Sequence, residues 1–134
     1  MFERILVGLK EGAPPQQLLE LAKRVGAPGA ALNLVTLVKV GAGEDQPARL
    51  QAAEEELQEL VRELEQEGFD GTSVVRPIAV AAGNELLQIA EAREVELIVV
   101  GLAKRSRVGK ALLGGDAQAV LLTASCPVLS VRLE

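Results

Sequence analysis

The chain has 134 residues, 49% of them hydrophobic and 25% charged, long enough for one domain with its own core and too short for two. Its formal net charge of -5 argues against a general nucleic-acid or anionic-membrane surface, because such surfaces concentrate Lys and Arg. There is no histidine, which excludes Ser-His and Cys-His nucleophile chemistry and removes the commonest metal ligand.

Cys126 is the single cysteine, so no internal disulfide forms, and its place at the start of an apolar run reads as a buried structural residue. With no Trp or Tyr and only Phe2 and Phe69, a bound base has no aromatic platform to stack on. The apolar runs fall short of the roughly 20 residues that span a bilayer. The amino-terminal MFERILVGL carries an acid and enters a strand directly, so the expected location is the cytoplasm.

In chain order, Arg4 to Leu9 (RILVGL) is a short apolar run that predicts a first, central strand. Pro14 and Pro15 suit the opening of a helix, where a missing N–H costs nothing. Leu18, Leu21, Ala22 and Val25 then recur at helical spacing, Lys23 and Arg24 suit the last turn, and Gly26 with Pro28 stops the helix. Ala31 to Val38 predicts a second strand. From Pro47 to about Glu67, Leu50, Ala53, Leu57, Leu60, Val61 and Leu64 mark one side of a long helix, and Glu54, Glu55 and Glu56 belong to its solvated face. Its leucines cover too few heptads to prefer a coiled coil over a helix laid on a sheet.

Gly68 ends that helix. Thr72 to about Ala79 predicts a third strand, placed at a sheet edge because Pro77 cannot donate to a ladder. Asn84 is positioned to cap a helix from Glu85 to Glu94, with Leu86, Leu87, Ile89 and Ala90 inward. Leu97 to Val100 is continuously apolar, as expected of a strand buried on both faces, with Gly101 as its end. A last helix, Asp116 to Ala124, packs through Ala119, Val120, Leu122 and Thr123, and Val128 to Leu133 forms the last strand. This alternation predicts an α/β domain with a parallel sheet, right-handed crossovers and helices on both faces.

Between the strand at Leu97 and the last helix lies a glycine-rich basic loop with Lys104, Arg105, Arg107, Lys110, Gly114 and Gly115. Ligands in α/β sheets sit beyond the carboxyl ends of the strands, often with helix-terminal N–H groups offered to anions. The loop reads either as a phosphate site, as a contact for an acidic partner, or as a solvated connection whose glycines serve turns.

Four pieces, RILVGL, ELIVVG, LLGG and CPVLSVR, spread from Arg4 to Arg132, make the chain resemble the universal stress proteins (UspA-like). That resemblance implies a single domain over residues 1–134 with a five-stranded parallel sheet in the order 3-2-1-4-5, of the adenine nucleotide alpha hydrolase-like type. It also implies a homodimer joined through the last strand, here Val128, Ser130 and Val131. One branch of the family binds ATP through Gly, two residues, Gly, nine residues, Gly, then Ser or Thr. Here the pattern falls on Gly101, Lys104, Gly114 and Gly115, so a lysine replaces the second glycine and a glycine replaces the hydroxyl residue. Lys10 stands where the family carries an acid after the first strand.

The implied nucleotide contacts are therefore Lys10, Val38, Gly101, Lys104, Arg105, Gly114, Gly115 and Asp116, with no catalytic residue and no metal ligand. Lys104 either obstructs a pyrophosphate or offers it an ammonium group, Lys10 cannot accept from a ribose hydroxyl, and Asp116 sets a carboxylate against phosphate. The first expectation is a non-enzymatic, homodimeric binding or regulatory module with weak or absent ATP binding. The alternatives are an ATP-binding protein, even a slow ATPase, that uses the basic loop for phosphate, and an acidic scaffold presenting Glu55 and Glu59 of its long helix to a protein partner.

Overall fold

The structure is a computed structural model that describes residues 1–41, 45–79, 82–102 and 115–132. Among the described residues nine elements alternate: β1 (Phe2–Lys10), α1 (Gln16–Val25), β2 (Gly26–Lys39), α2 (Gln46–Gln66), β3 (Asp70–Ile78), α3 (Ala82–Ala92), β4 (Leu97–Leu102), α4 (Gly115–Thr123) and β5 (Val128–Arg132). The five strands form one sheet in the order β3-β2-β1-β4-β5, and every neighbouring pair is parallel. Both the order and the parallel pairing agree with the expectation. β3 lies at an edge, as Pro77 requires.

Strand alternation sorts the apolar side chains into two layers. Ile5, Val7 and Leu9 of β1 join Leu32, Leu34, Leu97 and Val99 under α1 and α2. Leu6, Val35, Ile98 and Val100 face the other way, under α3 and Val120 of α4. Central β1 and β4 are thus apolar on both sides, which is why RILVGL and LIVV read as continuous runs. Helix α2 lays Ala53, Leu57, Leu60 and Leu64 on the sheet, so it is a covering helix, not a coiled-coil arm. Gly68 follows it at φ 93°, a left-handed turn that only glycine adopts without strain.

Several boundaries differ from the sequence expectation. β2 begins at Gly26, five residues before Ala31, because the chain leaves α1 directly into extended backbone, with φ -80° and ψ 145° at Gly26. Phe2 pairs with Gly26 and Arg4 with Ala31, so the extra residues bulge out of β2 at this corner. A Cβ on Gly26 would lie 3.1 Å from the Ala22 carbonyl oxygen, and glycine is what lets strand follow helix without a loop. The buried stripe of α1 includes Leu19 with Leu18 and Ala22, while Leu21 is only half-buried.

Gly101 does not end β4. It pairs with Val131, and Leu102 with Arg132, so the ladder to β5 carries the strand two residues further than the apolar run. Asn84 lies inside α3, which starts at Ala82, and is not its cap. α4 starts at Gly115, so Asp116 is inside it. Among its residues from Ala119 to Thr123, Val120 is the buried one, whereas Leu122, expected to pack, is 75% exposed. The Thr123 hydroxyl donates back to the Ala119 carbonyl instead of packing inward.

Candidate functional site

The crevice of a doubly wound sheet opens at the carboxyl ends of its strands, where successive connections leave for opposite faces. Here that point lies between β1, whose next helix joins the α1 and α2 layer, and β4, whose next helix joins the α3 and α4 layer. β1 ends at Lys10, which is exposed. The chain then turns, with the Ala13 N–H donating to the Lys10 carbonyl at 3.1 Å and Gly12 at φ 76°.

Beside β1, β2 ends with Val38 wholly buried and Lys39 and Val40 exposed. The Val40 N–H donates to the Ile78 carbonyl at 2.7 Å, tying this end of β2 to β3. On the other side of β1, Gly101 is half-buried and follows Val100, which pairs with Gly8. Lys10, Val38 and Gly101 therefore stand on three contiguous strands at one end of the sheet. Gly115 and Asp116 open α4, while Lys104, Arg105 and Gly114 lie outside the described residues.

Two side chains at this rim were not legible beforehand. Arg49, in the first turn of α2, grips Glu11, which follows Lys10. Its Nε donates to Glu11 Oε2 at 2.8 Å and its Nη2 to Oε1 at 2.7 Å. This two-pronged, charge-assisted geometry is the strongest form that such a pair takes. The Arg49 hydrogen bonds hold the Glu11 carboxyl below its ordinary range, against a smaller opposing effect of burial. A Cβ on Gly41 would lie 3.9 Å from Arg49 Nη1, so the guanidinium that holds the segment after β1 also passes near the segment after β2. The partners are 38 residues apart in sequence. The local signal was only an arginine at the solvent-facing start of a helix and an acid one residue past Lys10.

The opposite ends of the strands carry a different set. Asn33, buried in β2, donates to the Ile5 carbonyl at 3.1 Å, and its Oδ1 accepts from Thr72 Oγ1 and Arg93 Nη1. Glu96 accepts at Oε1 from the Glu3 N–H at 2.7 Å. That backbone hydrogen bond, more than any other influence, lowers its pKa. A cleft of about 210 Å³ at these ends is lined by Leu87, Glu91, Glu94, Ile98, Ser125 and Cys126 among others. Cys126 is half-buried, and burial pushes its thiol pKa up, away from thiolate chemistry.

Chemically, the part of the rim that follows β1 and β2 presents the exposed ammonium groups of Lys10 and Lys39 and the Arg49 guanidinium, which is held by Glu11, while farther along Arg76 near the end of β3 pairs with Glu85 of α3 at 3.2 Å. Such a set suits an anion. Among the described residues there is no cluster able to hold a metal ion.

Comparison with known proteins agrees with this architecture. The family model described as "Universal stress protein family" matches residues 1–132. A universal stress protein of Mycolicibacterium smegmatis is 44% identical over 57 residues, a match covering 42% of this chain and 44% of that protein, less than half the length of either. Among solved structures, a universal stress protein from Archaeoglobus fulgidus superposes with a TM-score of 0.74 at 23% identity, covering 98% of this chain and 99% of the other. A universal stress protein of the same organism in complex with dAMP gives 0.66 at 20% identity, covering 96% of each chain. At these identities the structural likenesses speak to the fold, whereas the family match runs from Met1 to Arg132, and on that ground this chain belongs to the universal stress protein family.

Proposed function

We propose that this protein is a small binding and regulatory module that works as a homodimer and holds adenine nucleotides weakly at the carboxyl ends of its strands. The observation that carries the dimer is β5. It is the end strand of the sheet, with Val128, Leu129 and Val131 only half-buried, and an apolar edge of this kind is ordinarily covered or paired. A second copy supplies the same strand about a two-fold axis. Leu121 and Leu122 of neighbouring α4, 39% and 75% exposed, extend the apolar surface beside it.

Weak nucleotide binding is supported from two sides. A family relative has been solved with dAMP, and the rim described above offers cations to a phosphate chain. Against tight binding stand the substitutions of the family pattern at Lys10, Lys104 and Gly115. Turnover is not part of this reading, because the chain has no histidine and the rim carboxylates Glu11 and Glu85 are engaged by Arg49 and Arg76.

The test has two arms. Replacing Val131 with Lys should convert a dimer into a monomer on a sizing column with light scattering; an unchanged dimer would move the interface off β5. Calorimetric titration with ATP, with and without magnesium, should give one site per subunit with a Kd of about 0.1–1 mM. A Kd near about 1 μM would overturn the weak-binding half and leave the dimer untouched.

A further inference from the structure

We propose that Arg49 is the phosphate-recognition residue of the crevice rim and that Glu11 is a built-in competitor, occupying its guanidinium fork until a phosphate-bearing ligand displaces it. The proposal rests on the reading of the carboxyl ends as the nucleotide site, and it assigns specific residues and a form of regulation to that site.

Four observations carry it. First, the geometry is that of an anion site already filled: two parallel N–H donors at 2.7 and 2.8 Å meet two oxygens of one carboxylate, the arrangement in which arginine also receives a phosphate. Second, Glu11 follows the last residue of β1, one wall of that crevice, and Arg49 reaches it from the first turn of α2, on the β2 side.

Third, the clasp is accessible. The two side chains are 33% and 31% exposed, so a dianion reaches the fork from solvent and replaces one two-pronged, charge-assisted contact with another. Fourth, the partners differ from those of the lysine that straps α1 to α2. Lys23 meets both Glu20 and Glu67, at 2.8 and 2.9 Å, whereas among the described residues Arg49 meets one carboxylate. On the same rim Lys10 and Lys39 are exposed, so once Glu11 swings away three cations stand there against Asp45, the acid that precedes α2.

Titration calorimetry of the full chain with two probes, ATP and inorganic tripolyphosphate, tests this on four proteins: wild type, Glu11→Gln, Arg49→Gln and the double variant. Glu11→Gln should tighten both probes about tenfold, because the amide no longer competes as an anion for the fork. Arg49→Gln should weaken both, and the double variant should bind like Arg49→Gln alone. Should Arg49→Gln fail to fold, Arg49→Lys, which keeps the charge and loses the fork, should still show weakened binding.

Wild type that binds ATP while Glu11→Gln leaves its affinity unchanged would overturn the competitor and leave the nucleotide reading standing. No heat from either probe with wild type or Glu11→Gln would overturn both. Tightening for ATP without any for tripolyphosphate would place Arg49 against the nucleoside and overturn its assignment to phosphate.

Discussion

At the amino ends of the strands, Arg4 donates through Nε to the Glu94 carbonyl at 2.7 Å, Glu96 accepts from the backbone of Glu3 and Arg4, and Arg93 reaches Asn33 and Thr72 at 3.0 Å. At the carboxyl ends, the described residues offer Lys10 and Lys39 to solvent and close two clasps, Glu11 to Arg49 and Arg76 to Glu85. The first set spends its polar groups on the fold itself. It ties β1, β2 and β3 to the ends of α3 and β4, and one of its members, Asn33, is 6% exposed. The second set is made of exposed or half-exposed charges, none of them buried as Asn33 is. A doubly wound sheet can thus be stabilised at one end and kept available at the other, because the polar groups of the two ends do not share partners.

The largest effect should come from the buried member of the first set. Asn33→Leu removes the acceptor of Thr72 Oγ1 and Arg93 Nη1 and the donor to the Ile5 carbonyl. Leaving such groups unsatisfied costs about 1–3 kcal/mol each in buried settings, so the urea midpoint should fall clearly. Glu11→Gln at the other rim should leave that midpoint nearly unchanged. Equal losses would erase the contrast between the two ends.

A smaller effect should appear with acid. Glu96 has a pKa lowered from 4.5, first by the Glu3 N–H, then by the Arg4 N–H, the Arg4 charge and the amino terminus, with burial opposing them. A carboxyl depressed in the folded state stabilises the protein above its unfolded pKa, and that contribution is lost as pH falls from there through the folded value. Stability should therefore decline below about pH 4.5, and Glu96→Gln should flatten that decline. Urea midpoints measured at neutral pH and at successively lower pH check this. An unaltered slope in the variant would mean that the Glu3 and Arg4 hydrogen bonds are not formed in solution.

Much of the fold was legible because it depends on period and punctuation. RILVGL and LIVV announce strands buried on both faces, Pro77 sends its strand to the edge, and the leucines of α2 give both its length and its buried side. The misreadings have tertiary causes. Gly26 does stop α1 as expected, but pairing with Phe2 also makes it the first residue of β2, five residues before the expected start at Ala31. Gly101 looked like a strand end, yet pairing with Val131 carried the strand on. Of the expected site, Lys10, Val38 and Gly101 do come together at one end of the sheet. Glu11 and Arg49 were invisible because their meeting is made by the β1–β2 pairing that brings the segments after them together. The partners of Asn33, Arg93 and Thr72, were equally hidden, because they come from elements 60 and 39 residues away.

The smallest effect concerns α4, which begins at the crevice end with Gly115 and runs toward the other end. Leu122 is 75% exposed, while Val120 is fully buried under the α3 layer. A residue so exposed contributes little to the fold of the single chain, so Leu122→Gln should change unfolding stability by no more than about 0.5 kcal/mol, measured in urea at a protein concentration low enough to disfavour association. Raising the concentration then separates two roles for this leucine. If α4 lies beside the β5 edge in a dimer, wild type should gain stability with concentration and Leu122→Gln should gain less, because assembly adds its free energy to that of the fold. Equal gains would confine the contact between copies to β5 and leave Leu122 to solvent.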